Sequence, residues 1–254
     1  MIEVKITLNV NDKLYVRDPQ QTKLGKRIVR QGIVLIGEIG FECFTFKKLA
    51  DKIKSTEASI YRYFENKYLF FTYLINWYWE WMKFRINFNT MNISDPKDKL
   101  KKVIATIVNT AQKQASTEFV DTDILHHIVV TEGTKAYHSK SVDQENKLGF
   151  FLSYKYLCND ISKIMLEINP NYAYPKTLAS TLIETANNNI YFAEHLPRLT
   201  DIKFGEHCYD DIVIMLENMI FNCLGVTGAT KIESKNPSSQ YVNGTIHQSI
   251  DASN

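Results

Sequence analysis

The sequence predicts an all-α protein carrying a short β-hairpin at its N-terminus. Three observations support this. The chain has 254 residues but only ten glycines and six prolines, too few for the turns of a sandwich or barrel. Apolar residues recur at helical spacing from about residue 21 to 224. Helix-start signals precede several of those stretches, at Thr45, Thr56, Asn66 and Ser94-Asp95-Pro96. No unit of about 20 to 50 residues repeats, which argues against a solenoid.

In order, residues 3–16 read EVKITLNVNDKLYV. Val4, Ile6, Leu8 and Val10 alternate with polar residues, Asn11-Asp12 marks a turn, and Leu14 and Val16 resume the alternation. That pattern predicts the hairpin, which Asp18-Pro19 ends. A first helix is expected over 21–39, with Gly40 at its C-terminal cap. Thr45 caps FKKLADKI, a short helix follows Thr56, and Asn66 opens a long aromatic helix. Later helices are expected at 95–115, 121–132, 141–168, 175–195 and 206–224. From Gly225 the composition turns to Ser, Asn, Thr and Gly, and residues 225–254 are expected to be a disordered tail.

Composition narrows the function. Hydrophobic residues at 44% and charged residues at 23% describe an ordinary globular protein, and a net charge of +2 gives no global basic field. The greasiest stretch, residues 68–88, is interrupted by Asn76, Glu80, Lys83 and Arg85, so it reads as a buried helix and not a membrane span. The N-terminus MIEVKITLNV lacks a signal-peptide pattern. Cys43, Cys158, Cys208 and Cys223 are scattered, as buried free thiols of a reducing cytoplasm would be. His126 and His127 are adjacent and would point about 100° apart on a helix. His138, His195 and His207 lack ligand spacing, so neither metal nor cofactor is expected. No G-x-S-x-G, P-loop, H-E-x-x-H or G-x-G-x-x-G occurs, so an enzyme is not expected.

Residues 45–64, TFKKLADKIKSTEASIYRYF, carry the chemistry. Two helices, each opened by a threonine, stand about four residues apart, as in a helix-turn-helix. Phe46, Leu49, Ala50 and Ile53 give the first an inward face; Ile60 and Phe64 do so for the second. With Ile60 inward, Ala58 and Arg62 point outward, flanked by Ser59 and Tyr61. Small residues let a backbone approach base edges, and arginine can bond guanine or phosphate. Those are the requirements of a recognition helix in a major groove. Residues 22–67 hold ten cations and five anions, a net +5, which leaves −3 for the remainder of the +2 chain. Phosphate affinity is thereby placed in the N-terminal third.

The order Gly40-Phe41, Thr45, Leu49-Ala50, Thr56, Ser59-Ile60-Tyr61, Tyr63-Phe64, Lys67, Leu69 resembles the tetracycline-repressor family of bacterial regulators. The motif covers about 45 residues, and IYRYFENK is its most specific part. The resemblance implies a three-helix DNA-binding domain over 21–67 and a helical ligand-sensing and dimerising domain over 68–224, with 1–20 as an extension. It implies that Thr45 contacts a phosphate, that Thr56 and Ser59 sit at the groove, and that Tyr61, Tyr63 and Lys67 hold phosphates. Arg62 is the candidate base reader, beside Lys54, Ser55, Glu57 and Ala58. Two positions depart from the family pattern. The turn Ile53-Lys54-Ser55 lacks the usual glycine, so Lys54 is expected to adopt a left-handed backbone or the turn differs. Glu57 stands where a cation is common and repels phosphate unless it accepts from cytosine.

For the remainder, Tyr73, Trp77, Trp81, Phe84, Phe150, Phe151 and Tyr154 are candidates for an aromatic pocket taking a small apolar or planar effector, or are plain core. By family analogy Ile183, Ile190, Ile212, Met215, Leu216 and Met219 on the last two helices are candidates for a homodimer interface, or else line the monomer core. A homodimer on a palindromic duplex DNA operator, controlled by an effector and most often a repressor, is the expectation. The competing reading is an all-helical interaction module or enzyme with an incidental helix-turn-helix.

Overall fold

A computed structural model describes residues 7–111 and 119–226 of the chain. Eleven α-helices run through the described residues: α1 (Lys23–Cys43), α2 (Phe46–Lys52), α3 (Glu57–Tyr61), α4 (Lys67–Thr90), α5 (Pro96–Val108), α6 (Thr122–Glu132), α7 (Thr134–Tyr137), α8 (Val142–Lys147), α9 (Leu152–Ile168), α10 (Pro175–His195) and α11 (Cys208–Cys223). Among them no helix is long and apolar enough to cross a membrane. Residues 227–254, most of the expected tail, lie outside the described residues.

The helices start where their caps place them. Thr22, Thr45, Thr56, Asn66, Asp95 and Asp121 each accept from backbone N–H groups of the first turn they open. At Gly40 α1 breaks, with φ 74° and ψ 160°, a conformation that only glycine adopts without strain, before one further turn. Glu132 of α6 accepts from the freed Phe41 N–H at 3.0 Å, which ties α6 to this end of α1.

The long aromatic helix α4 is the central pillar. Phe70 to Trp79 are all buried, because α1, α5, α6, α7 and α9 surround it. Its first turns seat the small N-terminal domain. Phe70 stacks on Phe44 at 5.5 Å and meets Phe64 edge-on at 4.9 Å, and Tyr73 reaches Phe64 at 5.3 Å. Helices α5, α9, α10 and α11 pack together as the far layer.

Two expectations about elements fail. No strand is present in residues 7–16; Asp12–Leu14 form a 3-10 turn capped by Asn11. The inward alternation is real, for Leu8, Val10 and Leu14 are buried, but Val16 is 59% exposed. The backbone partners are not a second strand. The Gln20 side chain satisfies both the N–H and the C=O of Leu8, and Val16 N–H bonds the Tyr63 carbonyl at 2.8 Å. The expected helix over 141–168 is two helices, α8 and α9, separated at Gly149, where φ is 84°. Of the cysteines expected to be buried, Cys158 and Cys208 are, whereas Cys43 and Cys223 are exposed.

Candidate nucleic-acid interface

Helices α2 and α3 are joined by a short turn whose geometry is set by Lys54, at φ 50°. Its N–H bonds the Asp51 carbonyl at 3.2 Å and the Ser55 N–H bonds the Ala50 carbonyl at 2.9 Å. This pair of bonds is a Schellman closure of α2, which needs a left-handed residue where lysine stands. The turn keeps its form without glycine.

Helix α3 is only five residues long, and Ile60 and Phe64 fix it to the core with no exposed surface. Thr56 caps it through the Ser59 N–H, and its hydroxyl also pairs with the Ser59 hydroxyl at 2.9 Å. The outward surface is then Lys54, Thr56, Glu57, Ala58, Tyr61 and Arg62, with Ser55 and Ser59 half-buried at its edge. Tyr61 packs its ring edge on Phe46 at 5.1 Å yet stays 50% exposed, leaving its hydroxyl on the same surface. Thr45 is exposed at the N-terminus of α2, its hydroxyl accepting from Lys48 N–H. Lys47, counted above only as charge, is also exposed there; its place two residues after the cap was the available signal.

Two expected phosphate ligands point elsewhere. Tyr63 is 3% exposed, and its hydroxyl pairs with Thr22 at 2.7 Å, tying the end of the α3 turn to the start of α1. Lys67 donates to the carbonyls of Phe41, Glu42 and Phe44 at 3.2 to 3.4 Å and lies 4.9 Å from the Phe41 ring centre. An ammonium has three N–H donors, so the carbonyls left by the end of α1 occupy it. The exposed remainder still combines small side chains, one guanidinium and hydroxyls on one surface.

Residues 28–74 match the family model described as bacterial regulatory proteins, tetR family. The chain carries a tetR-family N-terminal domain. Solved structures share the fold well beyond that domain. A transcriptional regulator from Rhodococcus sp. Rha1 is 14% identical, with a TM-score of 0.58, covering 81% of this chain and 97% of its own. AibR, in complex with isovaleryl coenzyme A and operator DNA, is 11% identical, with a TM-score of 0.55, covering 81% and 100%. FadR from Bacillus subtilis, in complex with stearoyl-CoA, is 16% identical, with a TM-score of 0.55, covering 80% and 98%. No curated protein sequence matches the chain.

The seven aromatics expected to line one pocket are dispersed. Tyr73 belongs to the contact with Phe64 and Tyr15. Trp77 and Trp81 stack on each other at 6.4 Å. Phe151 and Tyr154 join Tyr137 and Trp79 in a separate cluster, and Phe150 is buried. Phe84 is 39% exposed and stacks on Phe88 at the surface. Their contacts thus fall into separate groups among the described residues, with Phe84 at the surface. Of the six expected interface residues, Ile183, Ile190, Ile212 and Leu216 are already buried within one protomer, because α10 packs on both α9 and α11. Only Met215 and Met219 keep partial exposure. His126 is buried, its Nδ1 paired with the Tyr78 hydroxyl at 2.8 Å; burial, with a smaller contribution from His127, pushes its pKa down to about 4.

Proposed function

We propose that this chain is a dimeric DNA-binding transcriptional regulator, acting as a repressor. Residues 21–67 dock on DNA and 68–224 hold the effector and the dimer contact. The observation that carries the reading is the surface of α3: Ile60 and Phe64 inward, Ala58, Tyr61 and Arg62 outward, on a turn that closes despite its lysine. Arg62 reads a base edge. Thr45, Thr56 and Tyr61 hold phosphates through hydroxyls, and Lys47 joins them. Each such hydrogen bond fixes the register of the helix without reading sequence.

The effector class we propose to test first is an acyl-coenzyme A ester, because AibR and FadR were solved with such ligands. Met215 and Met219 are the part of the earlier interface set available to a second copy. An effector would act only through different affinities for two arrangements of the recognition helices.

The direct test is the affinity of the purified chain for duplex DNA across about 50 to 200 mM salt. A steep loss of affinity with salt, and release by an acyl-coenzyme A ester, are the expected results. Affinity that ignores salt would contradict the phosphate contacts.

A further inference from the structure

A second cationic feature lies apart from α3. Lys23, Lys26, Arg27 and Arg30 fall at i, i+3, i+4 and i+7 along α1, so they share one face. With Gln31 and Phe119 they line a concave cleft of about 380 Å³. The Phe119 wall is not part of the helix-turn-helix. It lies in the segment that leads into α6, two residues before the Asp121 cap of that helix. A neighbouring depression shares Arg30, Gln31 and Phe119 and continues to Asp121 and Lys52.

Three nearby cations are occupied. Lys52 pairs with Glu38 at 2.7 Å, Lys48 donates to the Cys43 carbonyl at 2.8 Å, and Lys67 caps the end of α1. Lys23, Arg27 and Arg30 are exposed and have no such partner among the described residues. Two guanidiniums one helical turn apart repel each other, and an anion between them relieves that repulsion. Their planar forks grip phosphoryl oxygens two at a time. Lys26 Nζ lies 5.5 Å from the Phe119 ring centre, which fixes the cleft's inner wall.

We infer that this cleft binds a small polyphosphate anion, with Arg27 and Arg30 gripping adjacent phosphoryl groups and Lys23 at the mouth. A concave site of this volume suits a small ligand better than a duplex backbone. Its two walls belong to α1 and to the entry of α6, which pack on each other. Occupancy therefore bears on the contact between the DNA-docking and the sensing parts, a consequence that rests on the regulator reading. The binding itself does not.

The test is calorimetric titration of the full chain with ATP, coenzyme A and inorganic pyrophosphate, followed by duplex-DNA affinity of the ligand-free protein. At least one probe should bind with a Kd below about 1 mM, and Arg27→Ala and Arg30→Ala should each weaken it about tenfold. Arg30→Lys should recover part of that loss, since it restores the charge without the fork. Duplex affinity of the ligand-free Arg30→Ala protein should stay within about twofold of the parent. Because these side chains are exposed, circular dichroism of the variants should match the parent. Absence of binding by all three probes overturns the inference while leaving duplex binding intact. Equal probe binding by parent and variants overturns it too. A loss of duplex affinity in Arg30→Ala without loss of probe binding assigns the cations to DNA instead.

Discussion

Lys54 and His126 each hold a state that their side chains do not favour. A lysine at φ 50° sits where glycine carries no steric penalty. Lys54→Gly should therefore raise unfolding free energy by about 0.5–1 kcal/mol in chemical denaturation, the relief outweighing the added freedom of the unfolded chain. A loss of stability would show that the lysine's own contacts matter more. His126 is buried in its neutral form, with a pKa of about 4 against an ordinary 6.5. Above pH 6.5 both folded and unfolded chains carry neutral imidazole, and the group adds no pH dependence. As pH falls from 6.5 toward 4, the unfolded chain takes the proton and the folded one does not. Stability should then fall by about 1.4 kcal/mol per pH unit from this residue alone. His126→Gln should flatten that part of the profile in thermal melts between pH 7 and about 4. An unchanged slope would mean that the protonated ring is accommodated.

At the scale of elements, short-range chemistry was legible and long-range partnership was not. Thr45, Thr56, Asn66 and Asp95 announced their helices because a cap acts within three residues of itself. At Lys54 the family resemblance left two outcomes open, a left-handed lysine or a different turn, and the backbone takes the first. The N-terminal alternation of Leu8, Val10 and Leu14 reported burial truthfully, but burial does not say whether the backbone partner is a strand or the side chain of Gln20. Gly149 breaks the expected long helix between α8 and α9, and the apolar face expected of that helix begins only after it, at Phe150. Lys67 shows the same limit at a site residue: its sequence position resembles a phosphate ligand, while the fold brings three carbonyls to its ammonium. Lys67→Ala should cost about 1–3 kcal/mol of stability, since those carbonyls lose their donor. The salt dependence of DNA binding should stay unchanged; a slope smaller by about one would restore Lys67 as a phosphate contact.

Across the whole molecule, the N-terminal segment and the network at the base of α4 join the two parts. Asn11 donates to the Leu148 carbonyl at 3.1 Å, while the Val16 N–H donates to the Tyr63 carbonyl just after α3. The Tyr68 hydroxyl, in the first turn of α4, donates to Glu145 at 2.7 Å and lies 3.0 Å from the Ala136 carbonyl. The α7–α8 region is thereby bonded both to the N-terminal segment and to the first turn of α4. The stripes on α10 and α11 told which residues are covered, but not whether the same protomer or a second copy covers them, and four of the six proved to be internal. The proposed function turns on a dimer reading duplex DNA through the outward surface of α3. It is tested most directly by selection from a random-duplex library, with the parent and Arg62→Ala proteins side by side. The parent should select a palindrome with half-sites about 34 Å apart, and the variant should lose preference at one base position per half-site. Recovery of no preferred sequence, or the same palindrome with the same preferences from both proteins, would contradict it.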